Sequence, residues 1–199
     1  YMNSNGVKTK IFGSTSTNPF YAFKTKPTIT NVSLPTSVLN AGTQTVAQFT
    51  VTADAAGTIA WRQIKLNIAS STPSGIVLTS GYAIYDSANQ STPLTGVTVV
   101  QTASGVTFTS AVDQEVAGSK TYVVKALVGG TGVVSGASLS HGIPSSSVYS
   151  APSIYASVAV GSTFTWSDKS NLNHSDFTAD WMSDYYVKNL PTDSQTLTK

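Results

Sequence analysis

Apolar residues recur at every second position in short runs along this chain, and turn-forming residues interrupt the runs about every ten positions, the spacing expected of packed strands. The clearest runs are Thr28 to Leu34, Ala47 to Ala53, Ala60 to Ile68, Val97 to Thr102, Val106 to Ser110, Lys120 to Val128, Ile154 to Val160 and Phe164 to Ser167. In Phe49, Val51 and Ala53, and again in Ile64, Leu66 and Ile68, one face is apolar and the other polar. That alternation marks strands that bury one side and pair antiparallel. Ala55-Ala56-Gly57, Ser70 to Gly75, Gly129 to Gly132 and Ser145 to Ser147 supply the turns. Pro27 and Pro35 belong at strand edges, because proline has no N–H to give a ladder. The pattern predicts an all-β chain, an Ig-like Greek-key β-sandwich with an extended N-terminal arm.

Residues 1–27 form the arm or donor strand, and 28–199 the sandwich, including an aromatic and acidic C-terminal segment at 161–199. The arm is polar until Phe20, Tyr21 and Phe23, a large apolar payload that needs burial. Two readings compete: the segment is the first strand of its own domain, or it adds to a sheet edge or groove of a neighbouring copy.

Composition fixes the setting. Thr occurs 28 times and Ser 29 times while charged residues are 10% of the chain, well below the roughly 25% of an ordinary soluble protein. Such a hydroxyl-rich, weakly charged surface points to an extracellular or cell-surface β protein. There is no cysteine, which excludes a disulfide framework and a thiolate metal site. No apolar run reaches the roughly 18 residues of a membrane helix, and a net charge of +2 without clustered Lys and Arg argues against nucleic acid. The start, Tyr1-Met2-Asn3-Ser4, lacks the charged and apolar regions of a signal peptide, so a processed product or a piece of something longer is expected. Charge is polarised: the first 53 residues hold four lysines and no acid, while the last 32 hold five of nine carboxylates.

The segment Phe164-Thr165-Trp166-Ser167-Asp168-Lys169-Ser170, followed by His174-Ser175, Asp180-Trp181 and Tyr186-Val187-Lys188-Asn189-Leu190-Pro191, is similar to the C-terminal stretch of large surface proteins of small-genome candidate-phyla bacteria. Leu34-Pro35 to Phe49 and Val133 to Leu139 resemble the β modules of the same proteins. Where those proteins carry Gly in a turn just after the Trp, this chain has Ser183-Asp184. The resemblance implies location and architecture, a surface layer or filament; it brings no activity with it.

Candidate chemistry is sparse. His141, in Ser140-His141-Gly142, reads as a loop residue. His174, in Asn173-His174-Ser175-Asp176, offers a Ser/His/Asp set, but Ser and Asp are too abundant for adjacency to mean much. Neither histidine has metal-ligand spacing. Asp113 and Glu115, the only glutamate, are the nearest thing to the paired carboxylates of a glycosidase, and read as a solvated turn. Asp176, Asp180 and Asp184 repeat every four residues and, with Asp168, supply oxygens of the kind Ca²⁺ takes; Asp168, Asp176 and Asp180 are weak calcium candidates in a chain for which no metal is expected. Trp166, Trp181 and Tyr185 are either a platform for stacking sugars or core anchors. Trp61 reads as structural. Lys65 or Lys125 with Glu115 would be the first choice for a self-formed amide crosslink, although both lysines alternate to the solvent face.

The expectation is a non-enzymatic structural subunit of an extracellular filament or surface layer, assembling head-to-tail with copies of itself. Phe20, Tyr21, Phe23, Lys24 and Lys26 would meet Asp176, Asp180 and Asp184 of the next copy. The alternative is a carbohydrate-binding or adhesion module with cell-surface glycans as partners. No cofactor, nucleic-acid partner or membrane span is expected.

Overall fold

The computed structural model describes residues 21–54, 57–71, 76–145, 149–159 and 161–199. Among them the chain forms β1 (Pro27–Asn31), β2 (Gly42–Ala53), β3 (Thr58–Ser70), β4 (Val77–Asp86), β5 (Val97–Gln101), β6 (Gly105–Ala117), β7 (Ser119–Val128), β8 (Ser138–Gly142), β9 (Ser150–Ser153), α1 (Tyr155–Val158), β10 (Phe164–Ser167), β11 (Trp181–Ser183) and β12 (Gln195–Thr198). With 53% of residues in strands and 4% in helix, the protein is all-β.

Two antiparallel sheets share one core. The smaller has the order β1-β2-β7-β4. The larger is built around β3: β6 runs along one edge with β5 outside it. The other edge is shared, with β10 on Ala60 to Ile64 and β8 on Asn67 to Ser70. Beyond β10 lie β11 and β9, and beyond β8 lies β12. Phe49, Val51, Tyr122 and Val124 of the small sheet meet Ile59, Trp61, Ile64 and Phe108 of the large one in a single buried cluster, a sandwich-like arrangement. Trp61 anchors it. Its Nε1–H donates to the Tyr122 hydroxyl at 2.9 Å and its ring meets Tyr122 edge-on at 5.2 Å between centroids, so the one polar atom of the indole is satisfied where water has no access.

A strict period of two would put Trp61 and Ile64 on opposite faces, yet both are in the core. A bulge reconciles them: Trp61 pairs Gln114 and Gln63 pairs Thr109, so Arg62 faces the four residues Ser110 to Asp113 of β6. The bulge shifts the alternation of β3 by one and brings Arg62 and Asp113 together. Ser110 braces it, donating to the Val112 carbonyl at 2.7 Å and accepting from Gln114 at 3.0 Å.

Several expected strands form, some longer than the apolar pattern suggests. The exception is Ile154 to Val160, where Tyr155–Val158 is a helical turn. Val158 is buried against Ala60 and Trp181, with Tyr155 packed alongside, and helical spacing brings residues three apart onto one side, which a strand would not.

Residues 161–199 are not an appendage. β8 and β12 are neighbours, and everything between them, β9 to β11 with α1, is an excursion that widens the large sheet before the chain returns to the core through Leu197, which is fully buried. Just before β2, Ser37 to Leu39 pair with Thr198 in a parallel sense, Leu39 N–H to the Thr198 carbonyl and Thr198 N–H to the Ser37 carbonyl, both at 2.8 Å. No helix among the described residues is long and apolar enough to cross a membrane.

Candidate functional site

The chemistry-bearing side chains converge on the excursion. The β10–β11 loop closes over the bulge, and its carboxylates are drawn inward by specific partners. Arg62, the only arginine, donates through Nε to Asp113 Oδ1 at 2.7 Å and through Nη1 to Asp176 Oδ1 at 2.6 Å. Its guanidinium lies 5.3 Å from the ring centres of both Tyr155 and Trp181. His174 sits between two acids, Nδ1 at 2.9 Å from Asp180 Oδ2 and Nε2 at 3.1 Å from Asp113 Oδ2. The first contact is a hydrogen bond; the second has the distance but not the alignment of one. Asp180 is buried and also accepts from Thr178 Oγ1 at 2.7 Å and from the Asn171 N–H at 3.3 Å. Lys169 pairs with Glu115 on the outside of the same network.

This arrangement decides between the readings of the acidic residues. Asp176, Asp180 and Asp184 go to three different partners: Asp176 serves Arg62, Asp180 serves His174, and Asp184 turns to the start of β10, where its two oxygens accept the N–H groups of Thr163 and Phe164 at 2.9 and 2.5 Å. Asp168 accepts the N–H groups of Lys24 at 2.9 Å and Ser170 at 3.1 Å. Among the described residues no group of three or more His, Asp or Glu side chains is placed to hold a metal ion. Asp180 and Asp184 are each 3% exposed, so the lysines of another copy cannot reach them. Asp184 has a φ of 54°, a left-handed conformation that Gly takes freely and Asp tolerates.

The serine and acid that meet the His174 ring Nδ1 are Ser167 and Asp180, not the adjacent Ser175 and Asp176 of the sequence. Ser167 Oγ lies 3.5 Å from His174 Nδ1, a nitrogen already held by Asp180 at the shorter distance. Ser167 is fully buried and accepts the Lys169 N–H. Asp113 and Glu115 lie on β6, and each is held by a cation, Arg62 and Lys169 respectively. Of the two crosslink candidates, Lys65 is exposed, and Lys125 donates to the Gln90 carbonyl at 2.9 Å while lying 4.6 Å from the centre of the Tyr85 ring.

Trp166 and Trp181 are fully buried and offer no face to a sugar. Trp166 donates to the Tyr185 carbonyl at 3.2 Å and Trp181 to the Ser175 carbonyl at 2.9 Å. Tyr185 is half-buried and packs on the core. Phe23 fills the space beside them, its ring 6.2, 6.0 and 5.3 Å from those of Trp166, Tyr185 and Tyr186. Tyr21 meets Tyr185 edge-on at 6.3 Å, and the Lys26 ammonium stands 5.5 Å from the Tyr186 ring centre. Residues 21–27 are therefore used by their own chain, a correction to the arm as expected: an apolar socket for Phe23 exists in the same molecule, and its backbone is tied there through Lys24. Phe20 lies outside the described residues.

His141 is a further correction. It stands on β8 rather than in a loop, fully buried between the sheets, with Nε2 2.6 Å from the Tyr82 hydroxyl of β4 and Nδ1 without a hydrogen-bond partner. Loss of hydration pushes its pKa down to about 4 and pushes that of Tyr82 up. A cleft of about 470 Å³ lies on the large sheet, with Lys65, Thr107, Thr109, Tyr155 and Ser162 in its lining. Sequence reasoning missed it, since these residues belong to three separated segments and carry no motif.

No protein-family model matches the sequence, and no curated protein does. Among solved structures the chain is similar to a DUF4466 family protein from Parabacteroides merdae, at 12% identity and a TM-score of 0.32, over 62% of this chain and 40% of that one. A likeness so distant carries no argument about function, and gives no link to surface-layer proteins.

Proposed function

We propose that this chain is a non-enzymatic structural subunit of an extracellular filament or cell-surface layer, joined head-to-tail to copies of itself through residues 1–20. The observation that carries this reading is the way the polarised charge is mounted. The described chain enters at Tyr21, against Tyr185, while the acidic β10–β11 loop presents exposed Leu172 and Phe177 to solvent. The joining segment is shorter than the sequence suggests, because 21–27 belong to the fold. A basic leading segment and an acidic receiving surface on one chain suit a contact that propagates without closing.

The strand order supports an Ig-like Greek key. The series β1-β2-β7-β4 and β3-β8-β12 follow the A-B-E-D and C-F-G orders of that fold, and the parallel contact of Val38 with Thr198 ties the first strand region to the last. The hydroxyl-rich, weakly charged, cysteine-free composition supports an extracellular location, as does the resemblance to bacterial surface proteins.

Light scattering and negative-stain microscopy over a concentration series test the reading. The full chain is expected to grow into oligomers, and a variant lacking residues 1–20 to stay monomeric with unchanged circular dichroism. Equal masses for the two would end it.

The second reading is a carbohydrate-binding module, favoured by the hydroxyls of Thr107 and Thr109 in the cleft beside Tyr155. Glycan-array binding by a monomer, lost in Thr107→Val/Thr109→Val, would select it.

A further inference from the structure

The loop between β10 and β11 turns two large apolar side chains fully outward, Leu172 at 89% and Phe177 at 85% exposure. Its backbone is not free to fold them away. Trp181 Nε1–H holds the Ser175 carbonyl at 2.9 Å, the Ser175 N–H reaches Thr178 Oγ1 at 3.1 Å, and Asp180 gathers His174, Thr178 and the Asn171 N–H from within. A tip braced from inside with its apolar residues outside is a surface built to be covered. The surface is also acidic on balance: among the partly exposed groups Asp113, Glu115 and Asp176 outnumber Arg62 and Lys169, and the Asp176 side chain is 44% exposed.

The direction of the entering chain says which segment could cover it. Lys24 is bonded to Asp168, at the end of β10 from which the loop departs. Tyr21 lies on Tyr185, next to the Asp184 that caps the start of β10 at Thr163 and Phe164. Residues 21–24 thus run alongside β10 in its own direction, with Tyr21 toward the end of β10 opposite the loop. Twenty residues precede Tyr21, with an extended reach of about 65–70 Å. They include Lys8-Thr9-Lys10-Ile11-Phe12, two cations followed by two large apolar residues, complementary in charge and character to the tip.

We propose that the Leu172/Phe177 tip of one molecule receives the Lys8–Phe12 stretch of a second copy, Ile11 and Phe12 covering the apolar pair while Lys8 and Lys10 face Asp176. This rests on the assembly reading above and names the surface it uses. A contact between two different surfaces leaves one of each unsatisfied on every copy, so it extends rather than closes.

The absence of native cysteine makes the test direct. In the full-length Phe12→Cys/Phe177→Cys variant under mild oxidation, a ladder of disulfide-linked oligomers on a non-reducing gel is expected. Phe12→Cys/Val134→Cys, whose second site is exposed and lies in the turn before β8, should give no ladder. An internally closed monomer would mean that a chain covers its own tip, and a ladder no stronger than that of the control would place the contact elsewhere; either overturns the proposal. In parallel, Leu172→Ser/Phe177→Ser, which removes nothing from the core, should raise the concentration for half-assembly about tenfold or more with circular dichroism unchanged. If wild type assembles and this variant assembles equally, the tip is not the receiver but the assembly reading survives. If wild type stays monomeric at every concentration, both fall.

Discussion

The backbone N–H of Lys24 donates to Asp168 Oδ2 at 2.9 Å across 144 positions of sequence. This contact, with Phe23 beside Trp166 and Tyr185, ties the entering chain to the excursion between β8 and β12. Beyond it, Pro27 opens β1 opposite Ala53 and its carbonyl accepts the Lys188 N–H at 3.0 Å. Removing residues 21–27 together with 1–20 should therefore lower stability by several kcal/mol beyond removal of 1–20 alone. Phe23→Ala alone should cost about 2 kcal/mol, less than a fully buried phenylalanine because Phe23 keeps some exposure. Urea unfolding of the three variants checks the order, and equal midpoints for the two deletions would refute it.

The turn at Asp184 makes two demands at once: a φ of 54° and acceptors for the buried N–H groups of Thr163 and Phe164. Glycine meets the first and not the second; asparagine tolerates the first and keeps one acceptor. Asp184→Asn should lose about 1–2 kcal/mol, Asp184→Gly about 2, and Asp184→Ala about 3–4, since alanine fails on both counts. A glycine variant as stable as wild type would show that backbone conformation, not the carboxylate, sets the turn.

Strands whose apolar residues alternate cleanly, such as Phe49-Val51-Ala53, were legible because the period reports burial directly. Trp61 and Ile64 were legible as core residues only separately. Their common face depends on a bulge set by Ser110 to Asp113 on another strand, and no local pattern announces a bulge. β12 was illegible for a related reason: Gln195 to Thr198 contains one apolar residue, Leu197, and owes its place to pairing with β8. The acidic residues could be listed but not sorted, since Asp176, Asp180 and Asp184 take three different partners brought by three different elements. Their regular spacing suggested one cluster of oxygens, which the pairing of Trp181 to Ser183 with β10 divides.

The buried Trp61–Tyr122 bond lets packing be separated from polarity. Tyr122→Phe keeps the ring but strands the indole N–H in the core, and should cost about 1–3 kcal/mol. Trp61→Phe strands the tyrosine hydroxyl and leaves a cavity, and should cost about 3 kcal/mol or more. The double variant removes both partners, so its loss should fall at least about 1 kcal/mol short of the sum of the singles. Strict additivity in thermal or urea unfolding would mean that the 2.9 Å contact contributes nothing beyond ring packing.

His141 links stability to pH. Its pKa falls from an ordinary 6.5 to about 4 because burial between β8 and β4 strips hydration from the charged form, and the Tyr82 hydroxyl at 2.6 Å leaves no carboxylate to compensate. Between those two values the unfolded chain binds a proton that the folded chain refuses, so stability rises with pH across that window. It is fully present above pH 6.5 and declines on acidification until the folded form also titrates near pH 4. At about 1.4 kcal/mol per pH unit, wild type should lose about 2 kcal/mol on going from pH 7 to pH 5 through this group alone. His141→Gln, which can still bond Tyr82 and does not titrate, should lose about that much less over the same interval, whatever its own stability at pH 7. Urea midpoints of both proteins at the two pH values give the difference directly, and parallel losses would show that His141 is not the group responsible.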